Sequence, residues 1–414
     1  MNIDMQNAFI AGLASGGVVE QGGAELNLAF GDTAPEDTSK LWIKAARTPS
    51  VTVDYNPDNT VETVSSLSTV LPAATGESSG AVVGTKCYLF GGKNSGNSPI
   101  NTIREFDTET ETISTLSATL PTAAAEIGCC VVGTKIYLFG GYGSSYYDTI
   151  NVFDTETNTL TTLSATLQTA ARGFGCASVG TKCYLFGGVK SNGNFLDTIN
   201  VFDTETNTIS TLSATLPLVY CKIGCCAVGT KIYLFGGSGG SPSNLQKAIY
   251  VFDTETNTLT TLTAELPQRA DSLSCVATGT KCYLLGGAII NNNISKAINV
   301  FDTETNTLTT LTDELPQTVA AFNARGLLGN SVYVFGGWTG SANTAAIQKL
   351  NITFPLAEGA VFVHEDMLRN KFTLVNEPTK VTVGVSAVSV GNASGYAENC
   401  EAYLHDGAGW QPIT

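Results

Sequence analysis

The chain contains few residues that could do acid–base or metal chemistry. Only two histidines are present, His364 and His405, both near the C-terminus. No Ser-His-Asp, Cys-His or metal-spaced His arrangement can be built around them. The 11 cysteines look richer at first. Yet Cys87, Cys183 and Cys282 occupy a position where repeat copies carry Ile136 and Ile232, and that exchange marks a small buried apolar side chain. Cys129–Cys130 and Cys225–Cys226 are adjacent, so on a strand each pair points to opposite faces, and no Cys-x-x-Cys pair exists. The acids recur as Asp107 and Glu109, Asp154 and Glu156, Asp203 and Glu205, Asp253 and Glu255, Asp302 and Glu304. Such a set could collect calcium, which takes several oxygen ligands. Repeated Asp-capped hairpin turns explain it without any metal, and that reading is preferred. The sequence therefore offers no catalytic residue, no metal site and no cofactor site, and the chain is read as non-enzymatic.

Bulk composition narrows the partners. Net charge is −15 and charged residues make up 14%, so Lys and Arg are too sparse to neutralise a phosphate backbone, and neither nucleic acid nor membrane insertion is expected. Hydrophobic residues at 43% of 414 positions support a sizeable core. No stretch reaches the roughly 20 apolar residues of a membrane helix. The opening MNIDMQNAFIAGLASGG carries an Asp and no basic residue before its apolar run, unlike a secretory signal. Reduced thiols in a cytoplasm are then expected.

The elements that must position any site come from a repeat. GTKCYLFGG begins at Gly84, and copies begin at Gly133, Gly180, Gly229 and Gly279, with a weaker GNSVYVFGG at Gly329. The period is roughly 49 residues, the range of propeller blades. Each copy reads as four strands: a small-residue strand such as CCVVG, then KIYLFGG alternating apolar and polar, then TINVFD, then TLTTLSATL. DTETNT supplies the turn between the last two.

The diglycine after an aromatic-rich strand, followed by this turn, resembles the kelch family, whose fold is a β-propeller. The resemblance covers about residues 60–352. Ile113, Leu160, Ile209, Leu259 and Leu308 stand where kelch repeats usually carry Trp. The last copy has a third strand, AIQKLN, but no fourth. TVETVSSLSTVLP at 60–72 supplies one from the other end, which gives an all-β, six-bladed kelch-type ring. The alternative is seven blades, with KLWIKAA and SVTVDY in a degenerate seventh. Propeller oxidases that hold copper need histidine ligands in the ring, and sialidase propellers need Ser-x-Asp-x-Gly-x-Thr-Trp boxes; neither occurs here.

Three regions result: an N-terminal flank 1–55, the propeller 56–355 and a C-terminal segment 356–414. Ring closure brings the flanks together, so they should build a small β-rich accessory module, with a helix at 5–14. NAFIAGLASGGVV, GDTAPEDTSKLWIKAARTPS and EAYLHDGAGWQP loosely resemble the ends of kelch-containing structural proteins of tailed bacteriophages. That resemblance implies a virion appendage assembled in the bacterial cytoplasm, its flanks bound to other virion or assembly proteins.

Antiparallel order puts VGTK and DTETNT on one end of the ring, and these hardly vary. The second–third loops and the inter-blade links share the other end, and these differ in every copy. Loops carry function on a rigid scaffold. The expected binding residues are Tyr142, Tyr146, Tyr147, Phe195 and Trp338 as aromatic anchors, with Arg172, Tyr220, Lys222 and Arg269 as polar partners. The expected function is adhesion through this end to a host surface glycan or protein. An intracellular, cytoplasmic kelch scaffold for protein–protein interaction is the alternative.

Overall fold

The computed structural model describes residues 61–353 except 240–243, 321–324 and 329–330, together with short strands in both flanks. Residues Glu62–Asn351 form one compact unit; Met1–Val61 and Ile352–Thr414 form another.

The larger unit is a six-bladed propeller. Its second blade shows the pattern: Gly128–Val132, Lys135–Phe139, Thr149–Asp154 and Thr159–Thr166, paired antiparallel in that order. First strands line the inside of the ring. Each packs beside the next, and Arg325–Leu328 of the sixth blade returns to Ser79–Val83 of the first. The sixth sheet runs Arg325–Leu328, Ser331–Phe335, Ala346–Thr353 and then Val61–Val70, so the outer strand comes from the N-terminal side, as the strand count required. The two segments of the seven-blade alternative lie elsewhere. Leu41–Ala45 pairs with Leu28–Phe30 and Cys400–His405, and Val53–Tyr55 pairs with Leu356–Val361.

Second strands are buried on both faces: Ile136, Tyr137, Leu138 and Phe139 are all buried. The alternation expected for KIYLFGG is therefore absent. A blade is covered by a neighbour on each side, so its second strand is shielded on both faces. The outer strands are the most open, alternating exposed and half-buried positions, and they carry the Thr and Ser.

Aromatic clamps join the blades. The Phe of each VFD segment inserts between the Tyr and Phe of the preceding blade's second strand. Phe153 lies 5.4 Å from Tyr88 and 5.5 Å from Phe90. Phe202, Phe252 and Phe301 repeat this, and Phe106 closes the circle on Tyr333 and Phe335. Each buried Phe contributes roughly 2 kcal/mol by area. The diglycine that ends each second strand is backbone-driven: Gly140 and Gly141 have φ of 58° and 97°, and a Cβ on Gly140 would sit 2.3 Å from the Ala171 carbonyl.

Ten described cysteines remain thiols, nine of them buried and Cys129 half-buried. The Gly-Cys pairs of the first strands interlock between blades, since a Cβ on Gly175 would lie 2.5 Å from Cys225 Sγ.

In the flank unit, strands from the two termini pair with each other. Val18–Val19 meets Val381–Thr382, Glu25–Leu26 meets Phe372–Thr373, and Leu41–Ala45 meets Cys400–His405. The helix expected at 5–14 lies outside the described residues.

Candidate functional site

The two ends of the ring differ in chemistry. At the turn end, five blades repeat one geometry. Thr108 donates its amide and hydroxyl to the Thr85 carbonyl at 3.1 and 2.8 Å, and the four following blades do the same. Asp107 Oδ1 accepts the amides of Glu109 and Thr110 at 2.9 and 3.0 Å. Those amides hold the exposed Asp107 carboxyl below its ordinary range, the Thr110 amide most. The carboxylates thus cap their own turns, and among the described residues no cluster of His, Cys, Asp or Glu converges on a metal position.

At the opposite end, one backbone pattern carries a different side chain in every blade. The residue after each diglycine pairs with the incoming link: Lys93 with Gly76, Tyr142 with Ala125, Val189 with Arg172, Ser238 with Cys221, Ala288 with Asp271 and Trp338 with Ala320. The next link residues are Glu77, Glu126, Gly173, Lys222 and Ser272, all left-handed with φ of 51°, 51°, 68°, 53° and 53°. Their amides bond round the ring, Glu126 to the Glu77 carbonyl at 3.0 Å, then Gly173 to Glu126, Lys222 to Gly173 and Ser272 to Lys222. A non-glycine residue in this conformation costs about 1 kcal/mol. Four of these five positions accept that cost and keep a side chain.

Those side chains form a charged belt across blades one to five. Glu126 is 1% exposed. Its carboxylate lies 2.5 Å from Arg172 Nη1 and 2.8 Å from Lys222 Nζ. Burial alone would raise the Glu126 pKa, but Lys222 and Arg172 outweigh it and hold the carboxyl below its ordinary range. The Arg172 guanidinium lies 4.2 Å from the Tyr142 ring centroid and 5.4 Å from that of Tyr146, and its Nε donates to the Tyr146 hydroxyl at 3.0 Å. Tyr142 donates to Glu77 at 2.9 Å, and Lys93 pairs with Glu77 at 3.0 Å. Asp271 ends the belt; burial raises its pKa against the attraction of Lys222.

Of the nine residues expected from sequence, four therefore meet in one network: Tyr142, Tyr146, Arg172 and Lys222. Their bonding capacity is largely taken up within the fold. Tyr147 leans its hydroxyl on the Ala123 carbonyl at 3.3 Å. Tyr220 corrects the expectation of an exposed donor. It is 2% exposed and belongs to the core between blades three and four, because its link position points under the blade rather than outward. Phe195 is half-buried, and Arg269, exposed, donates to the Leu245 carbonyl at 2.9 Å. Trp338, at 42% exposed, is the expected anchor that does face solvent.

Sequence reasoning passed over Glu77, Lys93, Glu126 and Asp271. The repeat itself held the signal, since aligning the copies puts Lys93 beside Tyr142 after the diglycine, Asp271 beside Arg172 in the link, and Glu77 and Glu126 beside Lys222 at the next position. A cavity of about 110 Å³ between blades four and five, lined by Leu266, Pro267, Ile289 and Thr310 among others, shares no residue with the belt and no titratable group.

The exposed apolar residues complete the picture. Among the described residues the large hydrophobic side chains left exposed are Val70, Leu218, Val219, Ile290 and Trp338. Leu218 and Val219 lie in a link, Ile290 and Trp338 in second–third loops, and Val70 ends an outer strand where it enters a link. All five sit at the variable end.

The family model described as the KLHDC2/KLHL20/DRC7 Kelch-repeats domain matches residues 77–218 and 173–353. The solved structure of YjhT aligns with a TM-score of 0.59 at 16% identity, over 69% of this chain and 98% of that one, a likeness of fold. No curated protein matches at a significant level.

Proposed function

Since the chain belongs to the kelch-repeat propeller family, whose members are mostly non-enzymatic protein-binding scaffolds, we propose that its second–third loops and inter-blade links form the recognition surface for a protein partner. The observation that carries this is the confinement of Val70, Leu218, Val219, Ile290 and Trp338 to that end. Exposed apolar area gathered on one face is a mark of interaction surfaces. Among the described residues the turn end presents repeated polar turns.

A protein fits this surface better than a glycan. Sugar recognition stacks on open aromatic faces, yet Tyr142 is flanked by Lys93 and Arg172, and Tyr146 and Tyr147 spend their hydroxyls on the fold. The side chains left over are mainly aliphatic, with Trp338 as the one open ring among the exposed large hydrophobics.

The narrower reading is a virion appendage whose flanks attach it to other virion proteins while the loop end meets a host surface protein. The likeness of the terminal segments to kelch-containing phage structural proteins supports it. Purified particles containing the chain, released by a strain that carries its gene, would support this assignment; its recovery only from the host cytoplasm would favour the scaffold alternative.

The surface itself is tested by crosslinking in cell extract. Three forms are compared: wild type, Ile290→Ser with Trp338→Ala, and a turn variant with Glu156, Glu205 and Glu255 changed to Ala. Wild type and the turn variant should capture the same proteins, and the loop variant should lose them. Retention by the loop variant with loss in the turn variant would place recognition at the other end.

A further inference from the structure

The third strand of each blade carries a side chain that faces its own outer strand. In blades two, three and five this is Asn151, Asn200 and Asn299, directly opposite Thr162, Thr211 and Thr310. In each pair the threonine hydroxyl donates to the asparagine oxygen at 2.7 Å. Three neutral pairs satisfy each other at three equivalent places.

The first blade breaks the pattern. Arg104 takes the asparagine's place opposite Thr115. It is 5% exposed, and among the described residues its guanidinium makes one hydrogen bond, from Nη1 to Thr75 Oγ1 at 3.3 Å. Nε is buried with no acceptor. Thr75 cannot supply charge, and its own hydroxyl donates to the Ala73 carbonyl at 2.9 Å. No carboxylate among the described residues pairs with Arg104; its neighbour Glu105 is turned away, 2.7 Å from Lys86. Desolvation with nothing to offset it lowers the Arg104 pKa. Two residues back on the same face of the strand, Thr102 Oγ1 is also buried without a partner.

A buried, uncompensated cation is strongly unfavourable, and folded proteins avoid it by pairing the charge. Here an always-charged planar donor whose Nε has no partner and a hydroxyl with none lie on one strand face. We propose that Arg104 and Thr102 form a binding site for a small monovalent anion, of the chloride or nitrate class. The guanidinium offers donors and no acceptor, the hydroxyl can turn its O–H toward the same point, and a monovalent anion neutralises the single charge. Thr75 ties the site to ring closure. It lies in the link leaving the sixth blade's outer strand, its amide bonds the Thr344 carbonyl at 3.1 Å, and its carbonyl accepts from Gly337. The anion therefore strengthens the seam between the sixth and first blades.

Thermal unfolding of the full chain is followed in sodium chloride or nitrate, with sodium gluconate holding ionic strength constant. Wild type should gain about 2 °C in Tm per tenfold rise in chloride once the site begins to fill. Arg104→Asn installs the residue that three other blades carry and offers Thr115 the same partner, so it should fold and show no such rise. Equal slopes in the two proteins would overturn the site. Crystals grown in bromide give a second reading that needs no variant. An anomalous peak within about 3.5 Å of the Arg104 guanidinium is expected from ordinary hydrogen-bond geometry; water there, with bromide absent or bound only elsewhere, would overturn the proposal.

Discussion

Asn343, in the last blade's loop, donates its side-chain amide to two carbonyls of the first blade, Lys93 at 3.2 Å and Asn94 at 2.9 Å, across 250 and 249 residues of sequence. Its side chain fills the space over Gly76, where a Cβ would stand 2.2 Å from Asn343 Oδ1. A second tie joins the same two blades at the turn end: Lys349 pairs with Glu111 at 2.9 Å. Glu111 stands at the left-handed turn position that Asn158, Asn207, Asn257 and Asn306 hold in the other blades.

These two closing contacts should differ in weight. Asn343→Ala removes two hydrogen bonds at a partly buried seam and should cost about 1–2 kcal/mol. Glu111→Asn loses a partly exposed ion pair but gains a residue that suits the left-handed turn, so stability should change by less than about 0.5 kcal/mol. Urea unfolding of both variants gives the comparison. A larger loss from Glu111→Asn would mean that the ion pair, rather than Asn343, holds the ring shut.

Glu126 is the keystone of the charged belt. Glu126→Gln leaves Arg172 and Lys222 facing a neutral amide and should cost about 3 kcal/mol near neutral pH. The Glu126 pKa is depressed on folding, so its contribution is present above the unfolded carboxylate pKa and is lost as pH falls through the folded one. The gap between wild type and variant should hold from neutral pH down to about pH 5 and narrow in acid below the usual carboxylate range. A gap that is flat to pH 3 would show that the belt is not held by the Glu126 charge.

Asp271 should respond in the opposite sense. Burial raises its pKa, so its ionised form is a liability at neutral pH that protonation relieves as pH falls through the folded value. Asp271→Asn keeps the shape and removes the charge. It should raise the denaturation midpoint at neutral pH by the equivalent of about 1 kcal/mol, with the advantage fading in acid. Destabilisation at neutral pH would instead mean that the attraction of Lys222 outweighs the cost of burying the carboxylate.

The thiols should be inert in the folded ring. Burial pushes both Cys87 and Cys221 up to about 12. At pH 8 the thiolate fraction is then small, and thiolate is the species that alkylates. Native protein should react with iodoacetamide at these two positions only at the rate of ring opening, whereas the denatured chain reacts at once. Rapid labelling of Cys221 in the native state would show that the link between blades three and four opens locally.

The repeat alone determined much of this protein. Period-2 β-branched strands, the diglycine stops and the DTETNT turns are local chemistry copied from blade to blade, so four strands per copy followed directly from the sequence. The missing fourth strand after Ala346–Thr353, and its match near Val61–Val70, were likewise legible, because an incomplete sheet at one end must be completed by the other. Turn and loop ends could also be told apart, since alternating strand direction assigns every connection to one end.

Tertiary structure decided what each side chain does there. Tyr142 and Tyr220 look equally suited to a surface in the sequence, yet one flanks Arg172 at the mouth and the other is sealed beneath a blade. Glu126 reads as an ordinary surface acid until the links of three blades bring Arg172 and Lys222 onto it from 46 residues away and beyond. Arg104 likewise looks like one more polar residue in a TIREFD strand. Only its burial, opposite Thr115 and beside Thr75, leaves its charge unanswered. Backbone propensity and strand period are set within a few residues, but the dielectric and the partners of a charge are set by segments far apart in the chain, and those meet only when the ring closes.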